Sequence, residues 1–165
     1  MKTDIVDELL NQWSAERPRM DVSALGVVVR IQMLAKLLKQ RTARALEDHA
    51  LKHSEYDVLS VLRRQGAPFE LPATEIASSA LLTTGAMTTR IDGLEKRGFV
   101  RRRKSRKDAR SILVRLTPRG IEIVDRAIEA RLEEASQVLA NIPTAERKQM
   151  ADSLRELLVS IQETN

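Results

Sequence analysis

The chain has 165 residues, no cysteine and a formal net charge of +5. This length is most simply one domain that buries roughly 70% of its unfolded surface, and the lack of cysteine excludes disulfides, thiolate metal sites and cysteine nucleophiles. The N-terminus has an acid, Asp4, where a signal peptide has cations, and no apolar run approaches the ~18 residues of a membrane span. These features predict a soluble, cytoplasmic protein with no membrane partner.

Apolar residues at helical spacing predict two helices near the N-terminus. The first begins at Ile5, includes Trp13 and ends before Pro18, because a proline disfavours helix at the residue that precedes it. Ser23 can cap a long second helix that continues to about Asp48. The apolar stripe of this second helix consists of Val27, Ile31, Leu34, Leu38, Ala45 and Leu46.

Three shorter helices are predicted between residues 54 and 98. The first begins at Ser54 and stops at Gly66, and a connector with Pro68 follows. Pro72 suits the first turn of the second helix. Thr83 or Thr84 can cap the third, which stops at Gly98. The inner face of this third helix carries Met87, Ile91 and Leu94.

The most informative window runs from Lys96 to Arg110, where nine Lys or Arg residues stand against one acid, Asp108. Its net charge of +8 exceeds that of the whole chain, so the other 150 residues sum to −3. Polyanion binding is the usual reason to tolerate such self-repulsion. Most of its cations lie between two β-like runs, 99–100 and 111–116, which predicts a basic hairpin beside a DNA-reading helix. Duplex DNA is favoured over single strands because the chain has only four aromatic residues.

Two further helices follow the hairpin. Thr117 and Pro118 form a cap followed by proline at the first helical position, and a break at 141–143 separates two long apolar stripes. We therefore predict a mainly α fold with a small β-hairpin wing. Residues 51–117 form a winged helix-turn-helix, and residues 1–50 and 118–165 form a helical dimerisation region within the same single domain. A dimer presents two recognition helices one duplex turn apart; the alternative is that these helices complete a monomeric core.

The motifs of this region resemble the MarR family of bacterial transcriptional regulators. They are TEIA (74–77), TGAMTTRI (84–91), LEKRGFV (94–100), DAR (108–110) and LTPRG (116–120). The resemblance implies a dimeric winged-helix protein, usually a repressor released from its operator by a small ligand. The family pattern often has an acid near position 105; this chain has Ser105 there, so its wing is more basic.

A narrower resemblance begins with WSAERP (13–18), which is similar to the PecS and urate-responsive branch of the family. That branch implies a ligand site at the matching positions Trp13, Asp57, Arg90 and Arg102, and urate or another planar, anionic aromatic metabolite as the effector. Two of these residues have simpler interpretations. Trp13 can anchor the first helix, and Asp57 can close a capping box with the amide of Ser54.

The resemblance makes Arg110 the minor-groove residue, oriented by Asp108, and a narrow groove with enhanced negative potential suits an arginine; the alternative is a solvated turn. A flexible basic loop positions a protein on phosphates without reading bases, which gives that role to Arg103, Lys104, Arg106 and Lys107. Hydroxyl groups and arginine on a recognition helix can reach base edges, and the candidates here are Thr84, Thr88, Thr89 and Arg90. Capping and helix-surface roles compete for the threonines.

The predicted function is therefore a ligand-responsive repressor that binds double-stranded DNA as a homodimer. Two alternatives stay open: an architectural or non-specific DNA-binding protein without a ligand switch, and an interaction module whose basic hairpin meets an acidic protein. A family member that acts as an activator is a further variant. His49 and His53 form no metal-ligand pattern with acids, and the chain shows no phosphate-cradling loop or catalytic acid pair. We expect no enzyme activity, no cofactor and no metal.

Overall fold

The structure, a computed structural model, describes residues 2–79, 84–104 and 111–164, with the backbone alone for residues 84–86. It confirms a mostly helical fold with a small antiparallel sheet. The elements in chain order are α1 (Ile5–Glu16), α2 (Ser23–Glu47), α3 (His53–Arg64), β1 (Glu70–Pro72), α4 (Ala73–Ser79), α5 (Thr84–Lys96), β2 (Val100–Lys104), β3 (Ile112–Leu116), α6 (Pro118–Val138) and α7 (Thr144–Glu163).

Two compact units make up the chain, residues 1–44 and residues 45–165. In the first unit, Arg30 of α2 binds the start of α1: its guanidinium donates to the carboxylates of Asp4, at 2.9 Å, and Asp7, at 2.6 Å. Asp4 also caps α1 by accepting from the amide of Val6. The hydrogen bond from Arg30 lowers the pKa of Asp4. Ser23 is not the predicted cap of α2 but its first residue.

In the second unit, α3, α4, α5, α6 and the sheet pack around one apolar core. The core residues that are least exposed include Leu59, Leu62, Ile76, Met87, Ile91, Leu94, Val114 and Val124. Helical spacing predicted Met87, Ile91 and Leu94 among these positions, because residues three and four apart share one face of a helix. The core therefore fixes α5 against the strands that follow it.

The start of α3 differs from the sequence prediction. The helix begins at His53, one residue before Ser54, and the side chain of Glu55 accepts from the amide of Lys52 at 2.9 Å. Asp57 does not reach back to Ser54. Its carboxylate lies 3.1 Å from Nδ1 of His53 instead. Either acid has the residue type of a capping box, and the actual helix start selects Glu55.

The sheet has three strands, one more than the sequence predicted. Its order is β1-β3-β2, and both neighbours pair antiparallel with β3. The additional strand, β1, occupies the predicted connector, and Pro72 is its last residue, not the first turn of α4. An edge strand tolerates proline because one side of its backbone needs no ladder partner. Strand β1 has only three residues and ends in a proline, so its sequence is too short to show the alternation of apolar and polar residues that indicates a strand.

The junction between α5 and α6 depends on close backbone approach at Phe99. Gly98 has the positive φ of 75° that ends α5 as predicted, and Thr117 caps α6 as predicted by accepting from Gly120. The Thr117 hydroxyl also donates to the carbonyl of Gly98 at 2.7 Å. A Cβ on Gly120 would lie 1.9 Å from the carbonyl oxygen of Phe99. Glycine is therefore required where α6 crosses the start of β2.

The helix α7 has no buried residue in the single chain. Apolar side chains on it, among them Leu154 and Leu158, are more than half exposed. In the first unit, Val27 and Leu34 of α2 are likewise exposed to more than half. No helix in the described part of the chain is long and apolar enough to span a membrane. These apolar faces are left uncovered within one chain.

We predict that Gly120→Ala destabilises the protein by roughly 1–3 kcal/mol or more, because the added methyl group collides with a backbone carbonyl that cannot rotate away. The matched control is Gly93→Ala in α5, where no atom lies within 4 Å of the added Cβ. This control should be neutral or stabilising by up to about 1 kcal/mol, since alanine favours helix. Urea unfolding measures both; equal effects of the two changes would contradict the close approach at Phe99.

Candidate nucleic-acid interface

The helix α5 has one buried apolar face and one exposed polar face. Met87, Ile91 and Leu94 lie on one side of the helix and are each at most 2% exposed. Thr88 and Thr89 are exposed. The apolar face thus fixes the helix in the core, and two threonines predicted to contact DNA lie on its accessible surface.

Arg90, predicted to contact DNA and ligand, is half-buried on the same helix. Its Nη1 is buried and has no hydrogen-bond partner among the described residues. Arginine stays charged in proteins, and a buried donor without an acceptor costs about 1–3 kcal/mol. The structure therefore leaves a cationic donor that an anion would satisfy.

Arg102 joins β2 to α5. Its Nη1 donates to the carboxylates of Asp92 and Glu95, and its Nη2 donates to the carbonyl of Thr88 at 3.3 Å. Glu95 also accepts from the backbone amide of Arg102 at 2.9 Å. We call Arg102, Asp92 and Glu95 the Arg102 clamp. It ties both the backbone and the side chain of the strand to the helix.

A cleft of about 410 Å³ lies beside this clamp. Its lining includes Thr88, Asp92, Arg102 and Lys104. Residues predicted for DNA and for ligand therefore share one concave surface. The guanidinium of Arg102 reaches this surface already bound to two carboxylates.

Arg103, predicted to contact phosphate, binds a carboxylate of β1 in the structure. Its Nε and Nη2 donate to the two oxygens of Glu70 at 2.8 and 2.6 Å, and the Glu70 side chain is only 8% exposed. This bidentate pair raises the pKa of Arg103. The next residue, Lys104, is exposed. Of the two predicted contacts in β2, Lys104 is the more available to phosphate.

Arg97 has a structural role that the sequence did not indicate. Its Nη1 donates to Glu55 at 2.9 Å and its Nη2 to the carbonyl of Ala50 at 2.7 Å, and its guanidinium lies 4.7 Å from the ring centre of Phe99. The basic window therefore anchors the end of α5 to the start of α3. No local spacing signals this contact, because the partners lie more than 40 residues apart.

The four positions of the predicted ligand site fall into both units. Trp13 lies on α1 in the first unit and is 44% exposed. In the second unit, Asp57 pairs with His53, and Arg102 pairs with Asp92 and Glu95. Asp57 and Arg102 are therefore not paired with each other. No group of three or more His, Asp or Glu side chains in the described ranges could hold a metal ion.

Several predicted DNA contacts lie outside the described residues. They are Arg106, Lys107, Arg110 with its orienting partner Asp108, and the side chain of Thr84. Their roles stay predictions.

Comparison with known proteins identifies relatives along most of the chain. A model of the MarR family matches residues 51–112. The HTH-type transcriptional regulator PecS of Dickeya dadantii (strain 3937) is 28% identical over 142 residues, which cover 86% of each protein. The transcriptional repressor MprA of Escherichia coli (strain K12) is 30% identical over 129 residues, 78% of this chain and 72% of MprA.

Among solved structures, the fold is similar to that of Sco3205, a MarR family transcriptional regulator from Streptomyces coelicolor in complex with DNA. The TM-score is 0.77 at 24% identity, covering 86% of this chain and 93% of Sco3205. These findings confirm the winged-helix fold class and the family resemblance, including the similarity to PecS.

We predict that Glu95→Gln lowers the free energy of unfolding by about 1 kcal/mol, because it removes the charge that binds both the amide and the guanidinium of Arg102; partial exposure limits the loss. The control is Glu129→Gln on α6, an exposed acid with no ion pair in the described part of the chain. It should change stability by less than about 0.5 kcal/mol. Urea midpoints that shift equally would show that the clamp does not stabilise the fold.

Proposed function

Because this chain belongs to the MarR family of DNA-binding transcriptional regulators, we propose that it is a dimeric repressor. It binds a pseudo-palindromic operator and leaves it when a small anionic or aromatic metabolite, such as urate, binds. The relatives are regulators and not enzymes, which confirms the expectation that the chain is not an enzyme. The finer roles below are proposals about individual residues.

The accessible face of α5 supports the DNA-binding half of the proposal. Thr88 and Thr89 lie on it, and short hydroxyl side chains on a recognition helix can bind base edges and phosphates. Thr84 and Arg90 act from the same helix. Lys104 and the loop cations Arg106 and Lys107 bind phosphates. Arg103 contributes through its Nη1, because its Nε and Nη2 donate to Glu70. Arg110 enters the minor groove, and Sco3205, similar in fold, was solved with DNA.

The uncovered helices support dimerisation. An apolar side chain gains about 1.5–3 kcal/mol when it is fully buried, and α7 leaves several such side chains in solvent. A second copy is the simplest cover, because isologous dimers are the commonest assembly. Two copies then present two α5 helices to half-sites about one duplex turn apart. Residues 1–50 and 118–165 supply the dimer region in this proposal, and residues 51–117 the DNA module.

The unpartnered Nη1 of Arg90 is the observation that carries the ligand half. An anion that reaches it supplies the missing acceptor. Arg102 offers a second guanidinium in the cleft beside α5, Asp57 senses the anion by repulsion or accepts its proton, and Trp13 stacks on a planar ligand. Since Arg90 and Arg102 serve DNA and ligand alike, the two compete, and the ligand shifts the equilibrium by its differential affinity.

A non-specific DNA-binding protein is the second candidate, and the basic window is what favours it. Duplexes selected from a random pool separate the two. A repressor binds its selected site at least about 10³-fold more tightly than a scrambled duplex, whereas an architectural protein binds both alike.

Urate should quench the fluorescence of Trp13, the only tryptophan, and release the operator at up to millimolar concentration. Arg110→Ala should weaken operator binding about tenfold or more while it spares urate binding. Arg102→Ala should blunt the urate response. Fluorescence titration and DNA anisotropy measure these effects.

Glu95→Gln is the matched control for Arg102→Ala, because it loosens the Arg102 clamp but keeps the guanidinium. It should retain urate binding. If urate neither quenches Trp13 nor releases DNA, urate is not the effector. If Arg102→Ala and Arg110→Ala affect both activities equally, the basic window acts as one undivided charged patch.

Leu158→Glu should convert the dimer to a monomer and weaken operator binding at least about 100-fold, because it places a charge in the proposed apolar interface. Gln162→Glu is the control, since it adds the same charge to an exposed polar position of α7. Analytical ultracentrifugation reports the mass. A Leu158→Glu protein with the mass and operator affinity of the wild type would exclude α7 from the interface.

A further inference from the structure

The face of the sheet that points away from α5 has a groove of about 440 Å³, which we call the sheet groove. Its lining includes the arginines Arg101, Arg102, Arg103 and Arg115 and the apolar residues Pro68, Phe69, Pro118 and Ile121. Successive side chains of a strand point to opposite faces. Arg101 and Arg103 therefore lie on this outer face, whereas Arg102 between them binds α5 on the inner face.

Two arginines of the groove stand directly opposite each other. Arg101 of β2 pairs in register with Arg115 of β3, which places their Cβ atoms roughly 4.5–5.5 Å apart on the same face. Both side chains belong to exposed residues, and neither has an ion-pair partner among the described residues. Like charges in this arrangement destabilise a sheet. A bound anion would turn the repulsion into two favourable contacts.

Among the described residues, Arg103, unlike Arg101 and Arg115, has its charge paired with a carboxylate on this sheet. Arg103, two residues from Arg101 on the same face, is held by both oxygens of Glu70. Glu70 pairs in register with Arg115, but its two oxygens bind Arg103. The sole acid of this row is therefore already occupied, and the excess charge stays on Arg101 and Arg115.

The floor of the groove is apolar. Phe69 and Ile121 are half-buried and pack against the core, and Pro68 and Pro118 complete the wall. The wall at Pro118 is also the N-terminal turn of α6, whose end of the helix dipole is positive. A concave site with an apolar floor and a few convergent charges is typical of small-molecule sites. A flat, uniformly polar surface would suit a DNA backbone better.

We propose that the sheet groove binds an organic oxyanion, a carboxylate or phosphate that carries a compact apolar body. The oxyanion lies between the guanidinium groups of Arg101 and Arg115, and the apolar body lies on Phe69 and Ile121. Arg102 also contributes to the lining of the sheet groove, but its guanidinium binds Asp92 and Glu95 beside α5. The groove therefore differs from the effector site proposed at Arg90 and Arg102 in the guanidinium groups that bind the anion. The protein accordingly has two anion sites on one DNA-binding module.

Calorimetric titration of the full chain with phenyl phosphate tests the proposal, with inorganic phosphate as the probe that lacks the apolar body. Phenyl phosphate should bind more tightly than inorganic phosphate. It should also raise the melting temperature of the protein, because it binds the folded state, and sodium chloride at equal ionic strength should not. Arg101→Gln and Arg115→Gln should each weaken binding at least about tenfold. Without ligand, both variants should melt at or above the wild-type temperature, since each removes the cross-strand repulsion.

Arg126→Gln is the control, because Arg126 is an exposed arginine of α6 that pairs with Glu122 outside the groove. It should bind phenyl phosphate like the wild type. Unchanged affinity in Arg101→Gln and Arg115→Gln would overturn the proposal. A second result would also overturn it: the wild type does not bind phenyl phosphate, and both variants lose operator binding. That result would assign this face of the sheet to DNA. The urate response of Trp13 is measured separately, so failure here leaves the proposed repressor function standing.

Discussion

The guanidinium of Arg102 joins β2 to α5 in addition to the apolar core that they share, because it binds the carboxylates of Asp92 and Glu95 and the carbonyl of Thr88. Strand β2 is therefore fastened to the helix proposed to read DNA. In the proposed mechanism, an anion that binds Arg102 has to displace two carboxylates, and this loosens the polar contact between β2 and α5. Ligand binding and wing position are then coupled through one charge, and the coupling is as strong as the difference in ligand affinity between the clamped and released states.

The arginines of the basic window share a charge but differ in what binds them. Arg97 is held by Glu55 and the carbonyl of Ala50, and Arg103 is held by Glu70. Arg101 has no such carboxylate among the described residues, and it faces Arg115. A paired guanidinium fixes one element on another, whereas an unpaired one can attract an external anion. The role of each arginine in the basic window therefore depends on whether a carboxylate or carbonyl from another strand or helix lies within hydrogen-bonding distance of it.

Periodicity predicted the helices because burial on one face of a helix is a local property, and Met87, Ile91 and Leu94 are buried as their spacing requires. The caps at Gly98 and Thr117 are local as well. What sequence reasoning missed is non-local. The strand β1 exists because β3 pairs with it, and Glu55 takes the capping role predicted for Asp57 because the helix starts earlier. The partners of Arg97 and Arg103 are 42 and 33 residues away along the chain, beyond any spacing rule.

These ion pairs also reduce the number of cations in the basic window that are available to bind phosphates. The count from Lys96 to Arg110 is +8, yet Glu55, Glu70, Asp92 and Glu95, all outside the window, bind three of its arginines. Only cations that neutralise phosphates release counterions, and the salt dependence of DNA binding counts those alone. Arg97 and Arg102 therefore contribute shape more than phosphate affinity. In the proposed DNA complex, the electrostatic attraction therefore comes from the cations of the window that no carboxylate of the described residues binds, Lys96, Arg101 and Lys104, and from the cations predicted at positions 106, 107 and 110. The paired arginines hold β2 and α5 in place.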